Sequence, residues 1–310
     1  MSTRRHFLTL TDLSERELSA VLREAAVAKR RARGSTALAG KVVALVFQKP
    51  SMRTRVAFEV AVLQLGGSVI TLGQEDIQLG RREPIKDVAR VLSGYVDAIV
   101  ARTFAHRDVE EFARYASVPV INGLSDSVHP CQALADLLTI QEAFGRLKGV
   151  RVAYVGDGNN VLHSLLQGCG MMGVHVTAAT PPAYRPDPAI WRAAARFGTR
   201  HGAVMRWDAD PHRAVRGADV VYTDVWVSMG QERQRAQRLK SFARYQVNAS
   251  LLKMAPRGCR IMHCLPAHRG EEITEQVMDS KHSLIFAQAE NRLHAQKALL
   301  MMLLGKQRTR

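Results

Sequence analysis

The chain has 310 residues, 46% of them hydrophobic, enough for two domains whose buried surface needs no disulfide or metal for stability. Its four cysteines, Cys131, Cys169, Cys259 and Cys264, show neither CxxC nor zinc-ligand spacing, and no apolar stretch reaches membrane-spanning length. A formal net charge of +16 would favour nucleic acid, but the basic residues are dispersed and the aromatics, 6% of the chain, do not interleave with them. The expectation is a reduced cytoplasmic protein without leader, membrane anchor, metal centre or nucleic-acid partner, since polar sequence follows Met1 to Phe7.

The first element in chain order is an apolar, β-branched run at 42–47, which reads as a strand. It leads into Pro50 and the pentapeptide Ser51-Met52-Arg53-Thr54-Arg55, followed by the helix-like spacing of 56–63. Pro50 suits the first helical turn. A helix start offers unpaired N–H groups and the positive end of a dipole, so two hydroxyls and two guanidiniums gathered there suit a small anion. The competing reading is a simple cap at Ser51 with solvated arginines. Ser51, Thr54 and Arg55 share a helical face, and Arg55 lies one turn before Glu59, where an intrahelical ion pair is open to it. Ser51, Arg53 and Thr54 are therefore the ligand candidates, with Arg55 mainly holding the helix.

Further strands are read at 68–72, 98–101, 118–121, 151–155, 175–179, 219–223 and 260–263, with amphipathic helices filling most of the gaps. That alternation predicts an α/β protein. A helix at 132–144 ends at Gly145-Arg146-Leu147-Lys148-Gly149, which marks the boundary. One domain spans 1–145 and is completed by a C-terminal helix at 290–310, and a second spans 146–289. Ser51, Arg102, His129, Asn160, Asp224 and Cys264 each follow the C-terminal end of a strand, the edge where open parallel sheets bind ligands. They predict one composite site in the cleft between two doubly wound parallel-sheet domains.

Gly156-Asp157-Gly158-Asn159-Asn160-Val161 superficially matches a dinucleotide-binding turn. Val161 occupies the third glycine position, and Thr177-Ala178-Ala179-Thr180 supplies no acidic residue for a ribose, so NAD is not expected. Asn160 then reads either as a helix cap or as an amide for a carboxylate. Asp224 precedes the small-residue turn Ser228-Met229-Gly230 and suits an ammonium group, or else caps that turn. Together Asn160, Asp224, Ser228 and the Met229 backbone would bind an amino acid zwitterion. In His263-Cys264-Leu265-Pro266 the thiol is a substrate contact or a packed core residue. Neighbouring strand residues face opposite ways, which argues against a Cys–His nucleophile pair.

These residues resemble the ornithine carbamoyltransferases over nearly the whole length. The resemblance rests on Ser51 to Arg55, Asp76-Ile77-Gln78-Leu79-Gly80, Ala101-Arg102-Thr103 and His129-Pro130-Cys131-Gln132. It continues through Gly156 to Asn160, Asp224 with Ser228-Met229-Gly230, His263 to Pro266 and Glu290-Asn291-Arg292-Leu293-His294. It implies carbamoyl phosphate at Ser51, Met52, Arg53, Thr54, Arg55, Gln78, Arg102, His129, Pro130, Cys131, Gln132, Cys264, Leu265 and Arg292. It implies ornithine at Asn160, Asp224, Ser228 and Met229, with Cys264, Arg102, His129 and Asp224 as the catalytic residues. Gln78 is expected to serve a neighbouring subunit of a homotrimer, and no cofactor is implied. The chain departs from the usual pattern at Gln48, Met52 and Arg82. A rival within the family would use putrescine or an N-acylated ornithine. A rival from another class is a basic nucleic-acid-binding protein that kept the fold.

Overall fold

The computed structural model describes residues 5–30, 34–79 and 82–305. Met1 to Arg4, Gly80 of the Asp76–Gly80 motif and the predicted helix beyond Gly305 lie outside them. Two compact units emerge: Met1–Leu138 with Asn291–Arg310, and Thr139–Glu290. The chain enters the second unit within the helix Pro130–Phe144 and leaves it within the helix Ile285–Leu304. The division thus falls inside a continuous helix, whereas the sequence reading places it at the Gly145 turn.

The sheet of the first unit contains β1 (Val42–Phe47), β2 (Ser68–Leu72), β3 (Ala98–Arg102) and β4 (Val120–Leu124), all parallel, in the order β2-β1-β3-β4. That of the second contains β5 (Arg151–Val155), β6 (His175–Ala179), β7 (Met205–Asp208), β8 (Val220–Thr223) and β9 (Arg260–His263), also parallel, in the order β7-β6-β5-β8-β9. Central strands of such sheets are covered on both faces, which is why their sequences are apolar throughout rather than alternating. Val43 to Val46 and Ala98 to Ala101 are fully buried. Phe112, Val88 and Val109 pack on one side of the first sheet, while Trp226, Phe242 and Tyr245 anchor the core of the second unit. Removing a buried ring such as Phe112 leaves a cavity worth about 3–5 kcal/mol.

Two strands differ from the sequence reading. Met205-Arg206-Trp207-Asp208 forms an edge strand whose residues are half-buried or exposed, so no apolar run signals it. β4 begins after Pro119, which has no N–H to give a ladder and contributes only its carbonyl, accepting from the Ile99 N–H at 2.9 Å.

Strand order reverses direction between β1 and β3, and again between β5 and β8. In doubly wound sheets a crevice opens at that switch, outside the carboxyl ends of the strands. Ser51 follows β1 and Arg102 ends β3; Asn159 follows β5 and Asp224 follows β8. The topology therefore gives each unit its own binding edge.

Candidate active site

The helix Met52–Gln64 begins at Ser51, whose extended backbone and hydroxyl cap it by accepting from the Thr54 N–H at 3.3 Å. Pro50 lies before the cap, not in the first turn as expected. Thr54 is 1% exposed, and its hydroxyl oxygen accepts from Arg292 Nη2 at 2.9 Å and Arg102 Nη1 at 3.4 Å. With both lone pairs committed to guanidiniums, the Thr54 proton is directed toward a third group. Arg292 also donates through Nη1 to Gln132 Oε1 at 2.7 Å, and Gln132 Nε2 donates to Asp136 Oδ1 at 2.9 Å. Asp136 and Gln132 hold Arg292 from behind, and Arg292 meets Arg102 at Thr54.

This cluster is strongly electropositive. Burial, then the charges of Arg292 and Arg53, pushes the Arg102 pKa down to about 9. Its Nε is buried and has no hydrogen-bond partner among the described residues. Burial, followed by the charges of Arg292, Arg102 and Arg53, also holds His129 well below the usual imidazole range, so its ring is neutral at pH 7. Like charges forced together in a dry crevice are costly unless an anion joins them, and a phosphate dianion is the matching guest.

In the second unit, the helix Asn160–Met172 is capped by Asn159, not Asn160. Asn159 Oδ1 accepts from the N–H groups of Val161 at 3.0 Å and Leu162 at 3.2 Å, which turns its amide nitrogen toward Asp224 Oδ2 at 2.7 Å. The second Asp224 oxygen accepts from the Cys264 thiol at 2.9 Å. Asp224, 5% exposed, is therefore a carboxylate held at both oxygens by neutral donors, with its charge unspent.

The glycines of the dinucleotide-like turn have other causes. Gly156 has φ 147°, and a Cβ at Gly158 would lie 2.4 Å from the Pro186 nitrogen. They permit a tight turn and close backbone packing, not a pyrophosphate. Asp157 of that turn is buried against Arg238, which also donates to the Trp226 carbonyl, linking the turn after β5 to the loop after β8. Burial pushes the Asp157 carboxyl up to about 6 against the pull of Arg238.

Behind Cys264, His263 is fully buried; its Nδ1 accepts from the Leu265 N–H at 2.9 Å, and its Nε2 lies 3.1 Å from Glu272 Oε1. Nδ1 being an acceptor, Nε2 must carry the proton and donate to Glu272. This bracket fixes Leu265 at φ 57°, a left-handed conformation costing a bulky residue roughly 1–2 kcal/mol, and presents the turn that carries Cys264. The thiol partner is Asp224, consistent with the argument against a Cys–His nucleophile.

The remaining predicted residues sort by exposure. Arg53 is half-buried and bears electrostatically on Arg102 and His129, whereas Arg55 is exposed and donates to Glu59 Oε1 at 2.9 Å, as its spacing predicts. Met52 is 69% exposed, leaving its backbone as the part at the helix start. Pro130 opens the helix carrying Gln132. Cys131 is fully buried, its thiol donating to the Asn122 carbonyl at 3.4 Å and its pKa pushed up to about 12 by burial; its side chain is a packing group, not a ligand. Exposed Gln78 takes the left-handed position after the helix Gln74–Ile77, and its side chain joins none of the Thr54 network. Asn160 and Ser228 are half-buried, Met229 is 47% exposed, and the Ser228 N–H donates to Gln231 Oε1 at 3.1 Å. Gln48 Oε1 accepts from the Phe104 N–H at 2.8 Å, bracing the loop after Arg102, while Arg82 is exposed.

Sequence reasoning missed Asn159, Asp136, Asp157 and Glu272. Only Asn159 carried a local signal, its place two residues before the Val161 N–H it caps.

Residues 5–142 match the carbamoyl-phosphate-binding domain of the aspartate/ornithine carbamoyltransferases, and residues 148–303 match their aspartate/ornithine-binding domain. An ornithine carbamoyltransferase of Acidothermus cellulolyticus is 56% identical over 301 residues, covering 97% of this chain and 96% of its own length. One from Gloeobacter violaceus is 54% identical over 298 residues, covering 96% and 95%. The solved structure of ornithine carbamoyltransferase from Pyrococcus furiosus superposes with a TM-score of 0.94 at 51% identity, over 97% of each chain. With a cationic cluster around Thr54 in one unit and a clamped carboxylate in the other, and with both family domains matched, the chain belongs to the aspartate/ornithine carbamoyltransferase family.

Proposed function

We propose that the chain transfers the carbamoyl group of carbamoyl phosphate to the δ-amine of L-ornithine, giving L-citrulline and phosphate. One observation carries the choice of amine substrate: the oxygens of the Asp224 carboxylate are held by Cys264 and Asn159, both neutral donors, and no cationic side chain among the described residues pairs with it. A cationic side chain satisfies that charge. Aspartate would bring a second carboxylate against it, at a cost of several kcal/mol.

The neutral δ-amine attacks the carbamoyl carbon, the carbon–oxygen bond to phosphate breaks, and the proton lost by nitrogen leaves with the phosphate. An alkyl ammonium titrates near pH 10, so the amine must first give one proton to solvent, distinct from the second proton that leaves with the phosphate after addition, and Asp224 with Cys264 orients it. Charge growing on the carbonyl oxygen meets donors from Thr54, Arg102 and neutral His129. Charge on the leaving phosphate meets Ser51, Arg53, Thr54, Arg102, Arg292 and the N-terminus of the helix Met52–Gln64. Asn160, Ser228 and Met229 take the α-carboxylate and α-amine, and Leu265 presents its backbone beside Cys264. Phosphate is already a good leaving group, so the reaction needs no cofactor.

The reading extends to a homotrimer in which Gln78 serves a neighbouring subunit, and to a cytoplasmic role in arginine metabolism. Its support is the exposure of Gln78 away from the Thr54 network, and no helix among the described residues is long and apolar enough to cross a membrane. The test is a steady-state assay with carbamoyl phosphate and, in parallel, ornithine, aspartate, putrescine and N-acetylornithine. Citrulline formation with ornithine alone supports the proposal; preference for any other amine overturns it.

A further inference from the structure

The segment after Pro266 carries a cluster that the transfer reaction does not use. His268 Nδ1 lies 3.8 Å from Glu272 Oε2 and 3.9 Å from Glu271 Oε2, and the three atoms lie within 4.8 Å of one another. Glu272 is fully buried; its Oε1 accepts from the His268 N–H at 2.6 Å and faces His263 Nε2 at 3.1 Å. Its Oε2, and Glu271 Oε2 beside it, are buried without a hydrogen-bond partner among the described residues. A buried carboxylate oxygen left without a donor calls for a cation or a water, and here two such oxygens converge on an imidazole nitrogen.

We propose that His268 Nδ1, Glu271 Oε2 and Glu272 Oε2 form a binding site for a divalent transition-metal ion of the zinc class. One imidazole and two carboxylates suit Zn²⁺ or Co²⁺, and three protein ligands leave a fourth position for water. Bond lengths near 2.0–2.1 Å place tetrahedral ligand atoms about 3.3 Å apart, so the two contacts of His268 Nδ1, at 3.8 and 3.9 Å, must close by roughly half an ångström and the two carboxylates must draw together within their 4.8 Å bound. His268, partly exposed, is the ligand able to move. Arg235 holds the other Glu271 oxygen and Arg269 pairs with Asp279, which lowers affinity without occupying the ligand atoms.

The neighbouring triad Asp224, His263 and Cys264 is the rival location, but both His263 ring nitrogens are engaged, one by the Leu265 N–H and one by Glu272. It offers no free imidazole lone pair. Through Glu272 the metal would abut His263 and so the turn bearing Cys264, a route by which it would bear on amine binding.

The test uses the full chain, freed of metal by chelation and titrated with Zn²⁺ by calorimetry and with Co²⁺ by absorption. One ion per chain is expected, with Zn²⁺ affinity at least tenfold weaker in His268→Asn and in Glu271→Gln, side chains 43% and 23% exposed, whose replacement leaves buried Glu272 in place. Cys264→Ser should retain the ion, and the Co²⁺ spectrum should lack thiolate charge transfer. Binding that survives His268→Asn and Glu271→Gln, that is lost in Cys264→Ser, or that shows the thiolate band, overturns the proposal, as does the absence of stoichiometric binding.

Discussion

The two binding edges share a topology but manage charge in opposite ways. At the β1/β3 edge, Arg102, Arg53 and Arg292 press on one another and on His129, and Arg102 has no carboxylate partner among the described residues. At the β5/β8 edge, Asp157 is paired with Arg238 while the carboxylate of Asp224 is held by an amide and a thiol. The first is destabilised until an anion enters; the second is preorganised. A phosphate dianion brings enough charge to repay a repulsive crevice, whereas a single ammonium is better met by a fixed acceptor.

Arg102→Met tests that contrast most severely. Turnover should fall roughly 10²–10³-fold, the usual loss for a donor to developing charge. The ligand-free protein should nonetheless gain about 1–2 kcal/mol, because a buried cation whose contact is a hydroxyl, with no carboxylate partner among the described residues, is replaced by an apolar chain. A lower melting temperature for the variant would end the argument that the empty crevice is strained.

Asp224→Asn should reduce kcat/KM for ornithine roughly a hundredfold, as expected when a buried charge loses its complement. Protection by inorganic phosphate in thermal melts should persist, since the phosphate crevice is untouched. If phosphate protection vanished as well, the two edges would not be separable.

His129 gives a pH signature. Its folded pKa lies below its unfolded value, so the unfolded chain takes up the proton first. The associated stability is fully present above about pH 6.5 and is lost as pH falls below it, at roughly 1.4 kcal/mol per pH unit. Denaturant titrations at pH 6.5 and 5.5 should show His129→Gln losing about 1 kcal/mol less than the parent over that unit; parallel losses would place the titration elsewhere.

The smallest effect is expected for Arg55→Ala. Its exposed pair with Glu59 is worth about 0.2–0.5 kcal/mol, and turnover should stay within twofold. A hundredfold loss would move Arg55 into the phosphate crevice.

Much of this contrast is legible in the sequence alone. Strands covered on both faces are apolar runs, and a helix start rich in hydroxyls and guanidiniums advertises an anion, so β1, β3, β5 and Ser51 to Thr54 follow from local pattern. β7 was hidden because an edge strand need not be apolar. Asn159 and Asn160 are chemically identical, and which one caps the helix depends on backbone dihedrals that composition does not encode. The contacts of Arg292 with Thr54 and of Arg238 with Asp157 join distant positions, and no spacing rule reaches across them. The resemblance supplied Arg292; nothing supplied Arg238.

Arg292 lies 238 positions after Thr54, in the segment that returns to the first unit once the second is complete. A ribosome emitting this chain therefore releases the whole amine-binding unit before the guanidinium that finishes the phosphate crevice. Nascent or prematurely terminated polypeptides hold the pentapeptide without its keystone, so under the proposed assignment competence to hold the labile phosphate donor comes late in synthesis, after the second unit has been made.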